Sequence, residues 1–439
     1  MTTTATRSEL VTGQAARGHR DRAFLLFASA TGIGLVHAMD DALLNRQPGV
    51  PVTQHLGALL VVTGVAVPAV LLFPWLRTGV RAGLALAFGV ATLTNGVLHV
   101  MHIAADGPSG SDITGALAAG AGATLVLMSG VLPFLHRGER GHGWRRRWAV
   151  RGAVTAVIAL LVPFGLASVS IGIVQTHRPR TPIGDPPSAA YQPVRFEATD
   201  GLELSGWYLP SRNGAAVLLV STASGDRHRT ERHARLLSEH GYGVLLYDAR
   251  GAGQSDGSPN GYGWDWGRDI SGALDYLRNR PDVHPNRIGG LGLSTGADAL
   301  IDAAARDRRL RAVVADGATM RSFADIPPED RLTSAYMLPV MATVRLISGS
   351  RPGPPLKDLV SQVAPTPLLL IAAGSLPGEI KVNTIYARAA REPFDLWTLP
   401  DARHTRAIRD EAAEYERRVV DHFDAALLDR RTQPASRAP

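Results

Sequence analysis

Gly292-Leu293-Ser294-Thr295-Gly296 joins an apolar run, Arg287–Leu293, to a stretch of helical periodicity, Thr295–Arg306. A strand that turns into a helix through G-x-S-x-G is a crowded arrangement, in which a Cβ at either glycine would meet neighbouring chain. The turn raises the Ser294 hydroxyl above the sheet and leaves the first backbone N–H groups of the helix pointing at the same space. One serine between two glycines therefore predicts both a parallel-sheet fold and a nucleophile at its edge.

Working outward, apolar runs alternate with helical patterns along the C-terminal half. Arg195–Thr199 and Glu203–Leu209 form a hairpin about Asp200-Gly201. Strands follow at Ala215–Ser221, Gly243–Tyr247, Arg287–Leu293, Leu310–Ala315, Pro367–Ala373 and Phe394–Leu399. Helices are expected at Thr230–His240, Asp265–Arg278, Thr295–Arg306 and Val382–Arg391, with one long helix from about Thr405 to Leu428. Val- and Leu-rich strands alternating with helices predict a mostly parallel, doubly wound sheet covered on both faces. Such sheets bind ligands at the carboxyl ends of their strands.

The N-terminal half is a different material. Five segments, Ala23–Met39, Leu56–Leu76, Ala82–Ala104, Ile113–Leu135 and Gly152–Val174, approach or reach the roughly 20 apolar residues that cross a bilayer as a helix. This predicts an all-α transmembrane bundle of about five helices. A cleaved signal peptide is the competing reading of the first segment, disfavoured by its polar interruptions and by the four spans that follow.

The organisation predicted is a basic tail (1–22), a five-helix membrane domain (23–175), a Pro-rich linker (176–192), a catalytic domain (193–430, lid about 319–364) and a short tail (431–439). Arg clusters before span one, between spans two and three, and between spans four and five put the N-terminus in the cytoplasm. Five crossings then leave the catalytic domain outside the cell membrane. The net charge of +7 comes almost wholly from Arg, since Lys occurs only at Lys357 and Lys381. Its concentration in short loops between apolar segments points to a lipid bilayer as partner and away from nucleic acid. The chain has no cysteine, which excludes disulfides, thiolate catalysis and Cys-ligated metals.

Ser294 needs a base and an orienting acid, in the chain order Ser, acid, His. His404 lies in the loop between the last strand and the last helix, the position that returns an imidazole to the nucleophile. Glu379 is the first carboxylate after the Pro367–Ala373 strand and is the acid expected; Asp316 and Asp401 are its alternatives. The oxyanion would be held by backbone N–H groups of Thr295 and of Ala223 or Thr222. No cofactor is expected. In the membrane half, His37, Asp40, Asp41, His99 and His102 fall at span ends. His37, His99 and His102 are weak metal candidates, and an interfacial polar network is the plainer reading because no compact ligand motif is present.

Residues from about Val194 to Leu428 resemble the α/β-hydrolase superfamily, in particular its serine esterase and dienelactone-hydrolase-like branches. The resemblance rests on Gly292–Gly296 and on Tyr247-Asp248-Ala249-Arg250-Gly251-Ala252-Gly253-Gln254-Ser255-Asp256-Gly257, which matches the family's D-x-R-G-x-G-x-S stretch. It implies structural roles for Asp248 and Asp256. It also exposes a departure: where the family has His-Gly after the third strand, this chain has Ser221-Thr222. An insertion at Ala318–Pro365 holds the apolar Tyr336–Met341, which would cover an acyl pocket, touch the membrane, or simply pack as a cap. The expected function is a membrane-anchored serine hydrolase acting on a small, lipophilic ester. The alternative is a catalytically impaired ectodomain with a binding or sensing role.

Overall fold

The computed structural model describes residues 7–45, 52–108, 110–135, 150, 153, 168–176, 180, 182–257, 262–331, 334–376 and 378–428. The chain divides into two compact units, Met1–Val174 and Gln175–Pro439.

The first unit holds helices α1 (Arg7–Met39), α2 (Val52–Leu72), α3 (Thr78–Asp106) and α4 (Asp112–Leu135), and most of a short α5 (Ser168–Thr176). Three stretches are long and apolar enough to cross a membrane: Arg22–Leu44, Thr78–Met101 and Asp112–Leu132. α2 contributes a shorter apolar stretch, Val62–Trp75, and carries Pro68 inside it. Most of the fifth expected span, Gly152–Val174, lies outside the described residues, so the described helices give three candidate spans where the sequence predicts about five.

Small residues let α3 and α4 meet backbone to backbone. A Cβ on Gly96 would come within 2.3 Å of the Ala119 nitrogen, and one on Gly122 within 2.3 Å of the Leu93 nitrogen. Close approach of this kind is how helices associate where lipid removes the hydrophobic drive between them. Phe27 stacks on Phe73 at 4.2 Å between ring centroids and meets Phe88 edge-on. Large aliphatic side chains such as Leu25, Leu60 and Leu127 face outward instead. Water would disfavour so much exposed apolar surface, and a bilayer would not.

The second unit is built on one eight-stranded sheet, in the order β1-β2-β4-β3-β5-β6-β7-β8. Its strands are β1 (Gln192–Glu197), β2 (Glu203–Leu209), β3 (Ala216–Val220), β4 (Gly243–Tyr247), β5 (Ile288–Leu293), β6 (Val313–Asp316), β7 (Leu368–Ala373) and β8 (Phe394–Leu399). β1 and β2 form an antiparallel hairpin, β2 runs antiparallel to β4, and every remaining pair is parallel. β3, β4, β5, β6 and β7 are buried along their whole length, as continuous apolar runs covered on both faces must be.

The covering helices are α6 (Glu231–Glu239), α7 (Trp266–Arg278), α8 (Thr295–Arg306), α9 (Met337–Ser348), α10 (Leu356–Leu359), α11 (Glu379–Ala389), α12 (Ala407–Asp410) and α13 (Ala412–Phe423). Two differ from the sequence expectation. α11 begins at Glu379 and not Val382, because Gly378 at φ 86° turns the chain straight into the helix. The long final helix is broken at Glu411, whose φ of −133° is not helical. The helical pattern continues through the break, but Asp410 accepts a hydrogen bond from the Arg403 N–H and folds the chain back toward the loop that carries His404.

The expected linker is tied to this unit where it is described: Arg180 donates to the carbonyls of Ser255 and Gly257 at 2.6 and 2.8 Å. In the lid, α9 packs Met341 and Val344 against Trp264, buries Val340, and leaves Leu338 and Leu346 exposed.

Candidate active site

β5 ends in a serine whose backbone is held at φ 54°, ψ −120°, a region that side chains other than glycine's seldom occupy. The surroundings over-determine it. The Ser294 N–H donates to the Asp316 carbonyl at 2.8 Å, tying the turn to β6, and the Ser294 carbonyl accepts from Ala297 at 2.8 Å to start α8. The flanking glycines are sterically required: a Cβ on Gly292 would lie 2.4 Å from the Gly296 oxygen, and one on Gly296 would lie 2.4 Å from the Val220 oxygen. Strain of about 1–3 kcal/mol per residue held this way collects at functional sites.

Two segments 25 residues apart bring a base and an acid to the same end of the sheet. His404 Nδ1 lies 2.7 Å from Glu379 Oε2, and the other oxygen of Glu379 accepts the Ala373 N–H at 2.7 Å. With one oxygen fixed by backbone, the carboxylate presents the second to the imidazole. Glu379 is fully buried and His404 is about a quarter exposed. The His404 N–H donates to Ser375 Oγ at 2.8 Å, which fixes the loop as well as the ring. Gly317, at φ 73°, makes room for the imidazole: a Cβ there would come within 2.9 Å of His404 Cε1. Ser375 and Gly317 escaped the sequence reading. The Asp316-Gly317 pair at the end of a strand was the available signal for the second.

Burial pulls the His404 pKa down, but the Glu379 hydrogen bond and charge, with the charges of Asp316 and Asp298, outweigh it and raise the value above 6.5. Of the alternative acids, Asp316 is buried on β6, and its carboxylate accepts from Tyr415 at 3.1 Å. Burial, with the Glu379 charge added, pushes its carboxyl up to about 7. Asp401 is exposed at the surface. Glu379 is the carboxylate that reaches the imidazole.

Ser294 and His404 line one open cleft of about 1080 Å³ together with Thr222 and Ala223. The loop that carries Thr222 and Ala223 is pinned below. Arg227 reaches Asp248 through Nη2 at 2.7 Å and Nε at 3.2 Å, and the Arg227 N–H donates to the same carboxylate at 2.8 Å. Asp248 also accepts the Gln254 N–H at 2.9 Å. Asp248 thus holds two loops in the interior, as a structural role requires. Asp256 pairs by backbone with Glu203 and Gly251. Thr222 adopts a turn closed by the Gly225 N–H at 3.1 Å, so the β-branched residue is accommodated without a family-like glycine.

Of the three expected metal candidates in the first unit, two can be placed. His37 and His99 come together, with ring centroids 4.7 Å apart. His102 lies on α3, and its side chain is outside the described residues.

Residues 200–373 match the family model described as X-Pro dipeptidyl-peptidase (S15 family). The chain is similar to YfhR of Escherichia coli K12, at 32% identity over 255 residues, covering 55% of this chain and 83% of that protein, whose function is itself uncharacterised. It is also similar to the thiohydrolase aneE of Aspergillus aculeatus, at 28% identity, covering 40% of this chain and 58% of the relative. Among solved structures, a Pyrococcus furiosus esterase aligns at 22% identity over 57% of this chain and 97% of its own, with a TM-score of 0.46. On the peptidase-family match and the relationship to YfhR, the chain belongs to the α/β-hydrolase superfamily of serine hydrolases, and within it to the family of YfhR.

Proposed function

We propose that this protein is a membrane-anchored carboxylic ester hydrolase working through Ser294, His404 and Glu379. The observation that carries the reading is the 2.7 Å hydrogen bond from His404 to Glu379 at a cleft shared with the strained Ser294. Glu379 fixes the tautomer that leaves His404 Nε2 as a proton acceptor. Ser294 Oγ attacks the ester carbonyl as its proton passes to Nε2, giving a tetrahedral oxyanion. Backbone N–H groups of Thr295 and of Ala223 or Thr222 receive that charge. Collapse expels the alcohol, which takes the proton from the imidazolium, and leaves an acyl-serine. Water, deprotonated by His404, releases the acid and restores Ser294. None of these steps uses a cofactor.

The apolar lid helix, with Leu338 and Leu346 in solvent, supports a lipophilic acyl chain. Charged residues around the cleft, Arg229 and Arg232 among them, support a polar remainder to the substrate. The test is a panel of p-nitrophenyl esters of increasing chain length, run beside a thioester and an X-Pro amide. Each methylene that enters an apolar site is expected to raise kcat/KM about 4-fold until the site is filled, from ~0.8 kcal/mol per buried CH₂. A panel with no chain-length dependence contradicts the lipophilic substrate. Preference for the thioester or the amide contradicts the ester assignment.

The membrane anchoring rests on the three apolar helices, and the orientation on the Arg-rich loops. With five crossings the hydrolase unit lies outside the cytoplasm. A C-terminal alkaline phosphatase fusion is expected to be active, and an inactive fusion beside an active cytoplasmic reporter contradicts the orientation.

A further inference from the structure

The described helices of the first unit gather ionisable side chains at one end of the three candidate spans. His37 and Asp41 lie near the end of the Arg22–Leu44 stretch, His99 near the end of Thr78–Met101, and Asp112 and Thr114 at the start of Asp112–Leu132. His37, His99 and Asp41 each offer a ligand atom within 4.8 Å of the other two. His37 is 2% exposed and His99 9%, although neither belongs to the hydrolytic cleft. Ionisable groups at such depth are costly and mark function more often than packing.

The hydrogen bonds around the two rings set their donor atoms. His99 Nδ1 lies 2.9 Å from Asp112 Oδ1, and a carboxylate at that distance accepts a hydrogen bond from the ring N–H. His37 Nδ1 lies 3.0 Å from Thr114 Oγ1, which itself donates to Asp40 Oδ2 at 2.6 Å and so receives from the imidazole. Each ring thus carries its proton on Nδ1 and keeps a lone pair on Nε2. A histidine whose far nitrogen is held by a carboxylate or a relayed carboxylate is the usual outer arrangement of a metal ligand. At the other face, His37 Nε2 lies 3.5 Å from Asp41 Oδ2, a lone pair facing a carboxylate. That contact repels unless positive charge stands between the two atoms. Asn95 Nδ2, 2.9 Å from His37 Nε2, supplies one neutral donor and no charge.

Asp40, Asp41 and Asp112 bring three carboxylates to the neighbourhood of the two imidazoles. The rings are also held in place by packing. A Cβ on Gly115 would lie 2.3 Å from His99 Cγ, so the helix opposite His99 is bare where the ring rests.

We propose that His37, His99 and Asp41 bind a divalent transition-metal ion of the zinc class, with Asp112 and Thr114 orienting the two imidazoles. Two imidazole nitrogens and one carboxylate oxygen form a borderline-hard set that suits zinc or its neighbours and does not suit magnesium or calcium. Three protein ligands leave a position for water. The ion joins α1 to α3 at the end of the bundle, and its role is independent of the reading of Ser294.

The test uses the full chain in detergent micelles, stripped with a chelator and titrated with Co(II) as a spectroscopic probe. One equivalent of Co(II) per chain is expected to develop ligand-field bands, which Zn(II) then abolishes by displacement. Asp112→Asn is expected to weaken the site about 10–100-fold through loss of the ring's partner. Asp41→Asn, at a partly exposed position that is easily tolerated, is expected to weaken it at least as much. The bands disappear in His37→Gln/His99→Gln. A wild type with no saturable Co(II) signal overturns the proposal, and so do bands that persist undiminished in Asp41→Asn or in the double variant.

Discussion

Replacing Ser294 with Ala is expected to lower kcat by roughly 10⁴–10⁶-fold while leaving the fold and its stability almost unchanged. The size follows from the chemistry. Without Oγ there is no acyl-enzyme, and what remains is water attacking a carbonyl polarised by the oxyanion donors. The small stability effect follows from the geometry. Ala and Ser share a Cβ, so both carry the same backbone strain at φ 54°. The backbone N–H that bonds Asp316 is present in either. Steady-state kinetics on the best ester of the panel, with thermal unfolding alongside, checks both halves. A Ser294→Ala enzyme within tenfold of wild type would move the nucleophile elsewhere.

Glu379→Gln is the second large effect, a loss in kcat of about 10²–10⁴-fold. The amide keeps the shape of the carboxylate but offers the imidazole no negative charge, and its NH₂ favours the wrong tautomer of His404. The pH dependence carries a sign that a merely structural role would not produce. In the wild type the raised pKa of His404 places the acid limb of kcat/KM above pH 6.5, because the base must be neutral to accept a proton. Activity therefore rises as the pH passes upward through the raised pKa of the ring. Removing the Glu379 charge leaves burial as the dominant influence on the ring, which lowers its pKa. The limb should move to lower pH in the variant while its plateau falls. A variant whose limb stays in place, or moves to higher pH, would contradict the assignment of Glu379 as the partner of His404.

The parts of this site that could be read in the sequence are those that local chemistry marks. Gly292 and Gly296 are legible because only glycine fits where backbone lies 2.4 Å from a Cβ. His404 and Glu379 are legible because each follows a strand that the apolar pattern identifies, in the order the chemistry requires. The remainder depends on which faces meet. Nothing near Arg227 announces Asp248, 21 residues on, as the carboxylate it pins. Tyr415 reaches Asp316 across 99 residues, from a helix whose break at Glu411 the periodic pattern hides. In the N-terminal half, the sequence places His37, Asp41 and His99 at span ends. The Asp112 and Thr114 partners of the two rings emerge only when α1, α3 and α4 are packed together. Apolar helices are interchangeable by composition, so hydropathy gives the spans and says little about which of their faces touch.

The most direct test of the central claim is labelling of the detergent-solubilised full chain with a fluorophosphonate, followed by mass mapping of the adduct. Attack by an activated serine displaces fluoride and leaves the phosphonyl group on Oγ. The account predicts one adduct per chain, on the peptide that contains Ser294, absent from Ser294→Ala and strongly slowed in His404→Ala. A folded wild type that stays unlabelled, or an adduct that maps to another serine and survives Ser294→Ala, would contradict it.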